Sequence, residues 1–509
     1  MNTPDSHAES RADSAADLVA AEDVLLFVNA AITATGQREF RSRAVDQQLS
    51  LDFLHTYVRV NYRRVYAASL ALDINHHNAA LIVRRLLETA DEASPEERRT
   101  EGRLIAARLA ALPPQRAYRL FGELRRAKVN NRRTRAIMRD WLAARPDLGH
   151  DAVKYRAGLK TVARHIHLPC PEGRGALAEV GAFLFRPGRL PRYEHGTLDA
   201  WRRAHYEQGA VAELPFTVAE GFAAKHGMKR EVFLKRAAPR MTRLERLRTQ
   251  EQRVVGDRRP DVDLTVMPLT RLALYVLSLG FEERSGRRAE LTGALRAAAR
   301  RAAARRAAAR RAAGAHAGSW GRVHAVLDDS FSSSGSGQKR RRPLAVALAC
   351  HHLLEVLAAP GAYRGLWTSG ARDALLVRPS GPTPLGMRIL DALEPGADGT
   401  APDRLVIVSD GWDNAPAGLA GEVLRVWRRR LDPKRRTAAV HVNPVYDAEG
   451  FDVRRLAAGV ATAGIRDAED LPALVEIARF AEGRSGPAEL YAYLDRQVAR
   501  FISGEGAVS

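Results

Sequence analysis

The sequence predicts two fold classes in one chain: an all-α helical-repeat domain on the N-terminal side and a doubly wound α/β domain on the C-terminal side. Three observations carry this reading. From residue 19 to residue 283, apolar residues recur at helical spacing, and no Val/Ile/Thr alternation suggests a sheet. From Trp320 onward the pattern changes to short apolar runs alternating with helix-length segments, as in parallel strands joined by crossover helices. Aromatic residues are only 6% of the chain while Ala and Arg abound, a composition that favours helix. At 509 residues the chain is also too long for a single core.

Four segments follow. Residues 1–18 are polar and small, with no basic stretch followed by an apolar one, so they read as a disordered tail and not as a signal peptide. Residues 19–283 form the helical domain. Val24–Ile32, Leu51–Leu72, Asn78–Leu87, Arg99–Leu112, Gln115–Leu124 and Arg132–Leu142 each suit a helix of ordinary length. Leu214–His226, Glu231–Ala238 and Leu264–Leu279 continue the series, with Cys170–Gly175 and Arg186–Glu194 as connectors. Successive helices with short breaks suggest stacked hairpins of the HEAT kind, without a clean sequence period.

Residues 284–315 are an Arg/Ala-rich basic helix and linker. The Arg-Arg-Ala-Ala-Ala step turns roughly 140° per repeat, so Arg296, Arg300, Arg301, Arg305, Arg306, Arg310 and Arg311 spread around the axis. No apolar stripe forms beyond alanine methyls. Such a helix is either a solvated connector or a polybasic rod that touches phosphate.

Residues 316–509 are the α/β domain. Strands are expected at Arg322–Leu327, Tyr363–Thr368, Ala374–Arg378, Leu405–Ser409 and Thr437–Val442. Helices are expected at Pro343–Leu357, Pro384–Leu393, Leu419–Trp427, Leu471–Phe480 and Pro487–Phe501.

The formal net charge is +21, from 80 Lys and Arg against 59 acids, which directs attention to a polyanion partner. Basic residues interleaved with Tyr and Asn make Lys128, Asn131, Arg132, Arg133, Lys154, Tyr155 and Arg156 candidates for contact with single-stranded RNA, together with Arg300, Arg301, Arg305 and Arg306. Two cysteines, Cys170 and Cys350, exclude a disulfide framework. No apolar run of about 18 residues occurs, so no membrane span is expected and the setting is cytoplasmic. His76-His77, His165/His167 and His351-His352 have no partners at zinc spacing and read as structural. Ser334–Lys339 lacks the spacing of a nucleotide-binding loop.

The chemistry concentrates elsewhere. Asp328-Asp329-Ser330-Phe331-Ser332 reads Asp-x-Ser-x-Ser where the apolar run Val323–Leu327 ends. Ser380-Gly381-Pro382-Thr383 is a turn carrying a hydroxyl, and a buried-type strand ends in Ser409-Asp410-Gly411. Asp328, Ser330, Ser332, Thr383 and Asp410 together offer two carboxylates and three hydroxyls, a donor set for Mg²⁺ or another divalent cation. Lys339-Arg340-Arg341-Arg342 follows as a basic rim suited to selecting an acidic ligand.

These three pieces in this order resemble the metal-ion-dependent adhesion site of a von Willebrand factor A domain, a doubly wound, Rossmann-like fold, over roughly residues 316–509. The resemblance implies a site that binds a partner's Asp or Glu carboxylate through the cation and does not ordinarily hydrolyse, so the chain is expected to be no enzyme. A helical region joined to such a domain, with Met267-Pro268-Leu269-Thr270 about 60 residues before the metal loop, is similar to the Ro ribonucleoprotein family, a TROVE module plus a von Willebrand factor A domain. That would imply RNA binding and RNA quality control. The alternative is the bacterial adhesion-site proteins that act with MoxR-type AAA ATPases or in stress and defence systems, without RNA.

Overall fold

The computed structural model describes residues 22–169, 175–186, 192–242, 245–246, 249, 263–309, 317–395, 399–472, 474 and 487–504. The expected tail 1–18, Cys170, Arg310, Arg311 and most of the helix expected at 471–480 lie outside the described residues, as do the side chains of Arg305 and Arg306. The chain divides into two compact units, residues 80–263 and residues 1–79 together with 264–509. This division differs from the linear order of segments 19–283 and 316–509: the first helices belong with the α/β domain.

Unit 80–263 is helical, and no strand occurs among its described residues. Its helices begin on local signals. Ser94 and Glu97 form a reciprocal capping box before Pro95–Ala111, and the Asn131 and Asp147 side chains accept from Thr134 N and His150 N at the starts of Arg132–Ala143 and Leu148–Lys154. Preferred partners skip sequence neighbours: Pro114–Arg126 packs on Arg156–His165, and Pro95–Ala111 on Arg132–Ala143. Tyr118 lies at 5.1 Å from Trp141 in this core and donates to the buried Asp151 carboxylate at 2.9 Å, which Arg145 also reaches at 2.6 Å.

The other unit is built on a five-stranded parallel sheet in the order β2-β1-β3-β4-β7. Its strands are β1 Val323–Leu327, β2 Tyr363–Trp367, β3 Arg404–Val408, β4 Ala438–Asn443 and β7 Ala461–Gly464, while β5 Tyr446–Asp447 and β6 Asp452–Val453 form a small antiparallel hairpin. Crossover helices Arg342–Leu357, Leu385–Leu393 and Leu419–Arg430 pack on the sheet, the last two also on one another. The strand expected at 374–378 is instead a 3₁₀ turn, Ala374–Leu376. Asp373 caps it by accepting from Leu375 N at 3.0 Å, and the buried Arg284 guanidinium donates to the carbonyls of Leu375 and Val377 at 2.8 and 3.0 Å, so those acceptors are not free for a ladder.

The Arg/Ala segment also departs from expectation. Helix Arg288–Ala309 buries Leu291, Leu295, Ala298, Ala299, Ala302 and Ala303 on one face. It packs on Arg342–Leu357 and on Leu269–Ser278. The alanine methyls are therefore the packing stripe, recurring three and four residues apart and permitting close helix approach. The described arginines lie off that stripe: Arg296 pairs with Glu355 at 2.7 Å, Arg301 donates to Met267 O at 3.3 Å, and Arg300 is exposed.

The expected helix 51–72 breaks at Tyr62 into Ala44–Asn61 and Arg63–Ala68. The helix over residues 22–33 docks on the end of β7, where Gly464 N donates to Asn29 Oδ1 at 2.9 Å. A Cβ at Gly464 would lie 2.7 Å from Thr33 Cγ2, so only glycine allows this approach. The polar cluster around His76-His77 closes the same helix. Asn75 Nδ2 donates to the carbonyls of Ala31 and Ala34 at 2.8 and 2.9 Å, and Asn78 Nδ2 reaches Ala34 O at 2.8 Å. Among the described residues no helix is long and apolar enough to cross a membrane.

Candidate metal centre

β1 lies between β2 and β3, and the chain leaves β1 toward one side of the sheet and β3 toward the other. This is the topological switch point, the place where open parallel sheets gather ligands beyond the carboxyl ends of their strands. Asp328 follows β1 directly, and its backbone N donates to Val408 O at 3.0 Å. Asp410 follows β3 by two residues. The two strands thus bring both carboxylates to one end of the sheet.

The first loop turns tightly around Asp328. Ser330 N donates to Asp328 Oδ1 at 2.9 Å, and the Ser330 and Ser332 hydroxyls lie 3.2 Å apart. Ser332 hydrogen-bonds the Asp410 carboxylate, and Trp412 N donates to Asp410 Oδ1 at 3.0 Å. Asp329 is engaged separately, accepting from Thr368 Oγ1, Ser369 N and Ser369 Oγ at 2.8, 2.8 and 2.5 Å. It ties the loop to the end of β2.

Thr383 is buried on a segment bonded to both other loops. Phe331 N donates to Gly381 O at 3.1 Å and Ser380 N to Asp329 O at 3.0 Å. On the other side Thr383 N donates to Asn414 Oδ1 at 2.7 Å. The first and third loops are also joined directly, through Asp328 N to Val408 O and Ser409 Oγ to Asp328 Oδ2. Behind them a water-sized cavity is lined by Asp328, Ser333, Pro343, Val408, Ser409, Asp410 and Pro444; Ser330, Ser332 and Thr383 do not line it.

The electrostatics fit a cation. Burial, then the neighbouring Asp410 charge, pushes the Asp328 carboxyl up to about 6. Burial pushes Asp410 up as well. Arg41 and Arg454 lie near enough to Asp410 for their charges to offset part of that rise; among the described residues no cluster of three or more His, Cys, Asp or Glu surrounds the pair. Two buried carboxylates with hydroxyls, raised by burial despite the rim arginines, offer the kind of oxygen donors that a hard divalent ion takes.

Several residues here were not read from sequence. Ser409 Oγ donates to Asp328 Oδ2 at 2.9 Å, and Thr368 Oγ1 lies at 3.4 Å from Asp328 Oδ1. The Val-Ser-Asp ending of β3 was a local signal for Ser409. Arg41, Trp412 and Arg454 stand at the rim, and Arg41 comes from a loop some 290 residues before the loop that follows β1, beyond any local signal.

The residues proposed for RNA are mostly engaged within their own unit. Asn131 caps a helix, Arg133 donates to Arg98 O at 2.9 Å, and Lys154 pairs with Glu245 at 3.2 Å. Tyr155 packs on Tyr118 at 5.5 Å, and Arg156 lies over the Phe183 and Trp201 rings at 4.7 and 5.0 Å. Lys128 and Arg132 are exposed, with Arg125 and Arg126 beside them. No family model matches this chain, and a search of curated proteins finds no match to it.

Proposed function

We propose that the α/β domain is a von Willebrand factor A-type module. In this reading Asp328, Asp410, Ser330, Ser332 and Thr383 hold Mg²⁺, and the protein is a binding protein that captures a partner's Asp or Glu carboxylate. The observation that carries the reading is the pair of buried carboxylates at the switch point, hydrogen-bonded to Ser330, Ser332 and Ser409 and both raised by burial. Bound there, Mg²⁺ would supply an electrophilic position for an outside oxygen. The protein's own groups hold the two carboxylates in place. Ser409 orients Asp328, Trp412 N orients Asp410, and the Asp329 bonds keep the first loop from opening. Calorimetric titration with Mg²⁺ at neutral pH should show one saturable site that Asp410→Ala removes. Absence of any divalent binding by the intact protein would overturn the reading.

A second reading adds Ro-like RNA binding. It is favoured by the net charge of +21 and by the exposed basic turn of Arg125, Arg126, Lys128 and Arg132. Replacing these four with Gln should leave the fold intact and reduce the log–log salt slope for single-stranded RNA by roughly 0.7 per lost phosphate contact. An unchanged slope would leave metal-dependent partner binding without RNA, as in proteins acting beside MoxR-type ATPases, as the better account.

A further inference from the structure

Beside Asp410, two cations are held against one aromatic ring. The Arg41 guanidinium lies 4.2 Å from the Trp412 ring and that of Arg454 lies 3.8 Å from it. Trp412 N is itself bonded to Asp410 Oδ1 at 3.0 Å, so the ring is anchored on a candidate metal ligand. Both arginines are exposed, and the anion on which both act is Asp410, whose charge a bound cation would draw away from them. With Asp410 turned to a cation, two like charges remain at one ring, and an outside anion relieves their repulsion.

The backbone around both arginines is fixed. The loop bearing Arg41 is pinned to the loop after the Asp-x-Ser-x-Ser motif. Arg38 N donates to Gln338 Oε1 at 2.8 Å, Ser336 Oγ donates to Arg38 O at 2.5 Å, and Glu39 forms a buried ion pair with Lys339. Arg454 is held from below by Asn443 Nδ2, which donates to its carbonyl at 3.1 Å. It also packs on Gly411, whose φ is +80° and where a Cβ would come within 2.9 Å of Arg454 O. Rim and metal loops are thus one preorganised surface.

We propose that the Arg41–Trp412–Arg454 stack is a second subsite beside the metal centre, and that the ligand is an acidic protein segment presenting two carboxylates, one to the cation and one to the guanidinium pair. The proposal rests on the metal-centre reading above. Guanidinium forks match carboxylate geometry and are weakly hydrated, which suits them to a desolvated second contact. A protein ligand is favoured over single-stranded nucleic acid by the aromatic surface. The Trp412 ring is already engaged by guanidinium and is not free to stack on a base. Phe331, 63% exposed and 6.1 Å from Phe40, offers an apolar shelf at the same rim for a side chain next to the acids.

The test is a peptide array of six-residue segments carrying either one or two Asp or Glu residues, probed with the full chain in Mg²⁺ and in EDTA. The wild type should bind two-acid segments roughly tenfold better than one-acid segments, and only with Mg²⁺. Arg41→Gln/Arg454→Gln, at exposed positions, should melt like the wild type and keep Mg²⁺-dependent binding of one-acid segments while losing the preference. Mg²⁺-dependent binding with the preference intact in the double variant overturns the second subsite alone. Binding indifferent to EDTA and to Asp410→Ala overturns the metal reading and the subsite with it. Mg²⁺-dependent capture of oligouridylate that the double variant loses would assign the rim to phosphate and overturn the acidic-protein ligand.

Discussion

Asp328→Asn should make the cation-free protein more stable and abolish its response to Mg²⁺. The Asp328 carboxyl, pushed up to about 6 by burial and by Asp410, sits beside a second buried carboxylate whose own pKa burial raises despite the charges of Arg41 and Arg454. At neutral pH one of the two must ionise in a poor dielectric or take up a proton, and either costs stability. Asn keeps an oxygen to accept from Ser330 N, and the Ser409 hydroxyl can rotate to accept from the new amide. The wild type should gain about 2.7 kcal/mol at a Mg²⁺ concentration of 100 times Kd. That is a rise of roughly 4 °C in the melting temperature of a unit made of residues 1–79 and 264–509. The variant should start higher and stay flat. Melting curves with Mg²⁺ and with EDTA decide the matter. A variant less stable than the wild type in EDTA, with neither responding to Mg²⁺, would mean that the hydrogen bonds to Asp328 alone justify its burial.

The same site shows what the sequence made legible and why. Asp328, Ser330, Ser332 and Asp410 could be placed because each follows a strand whose apolar run is unmistakable, Val323–Leu327 or Arg404–Val408. Strand ends convert directly into site geometry in a parallel sheet. β7 was missed because Ala461–Gly464 contains two alanines and a glycine, with neither alternation nor bulk. Those small residues are required where the helix over residues 22–33 lies against Gly464, a tertiary demand that no local pattern announces. Arg41 was invisible for the same reason. Its meaning depends on a loop pinned across about 300 residues by Arg38, Ser336, Glu39 and Lys339. The alanine face of Arg288–Ala309 was misjudged because alanine is a weak hydrophobe alone, yet an effective spacer once a second helix approaches closely.

A fragment of residues 316–509, the segment that sequence pattern alone marks as a domain, should fail to fold. Helix Arg342–Leu357 decides this. Every residue from Pro343 to Cys350 is buried, as only a helix enclosed on all sides can be. The sheet covers one face of it through β1, and Leu269–Ser278 and Arg288–Ala309 cover others. Cutting at residue 316 removes Leu272, Val276, Leu291 and Leu295, each fully buried and worth about 1.5–3 kcal/mol of burial. The loss is comparable to the whole stability of an ordinary domain, roughly 5–15 kcal/mol. The cut also frees the end of β7 from Asn29 and removes Ser50, whose hydroxyl is hydrogen-bonded to Tyr446 OH at 2.6 Å. Circular dichroism in the near ultraviolet and a thermal melt read the outcome. The fragment should show no cooperative transition, whereas residues 264–509 co-expressed with residues 1–79 should regain one. A cooperative melt of 316–509 within a few degrees of the full chain would show that the covering helices are accessory, and that the division of the chain follows sequence order after all.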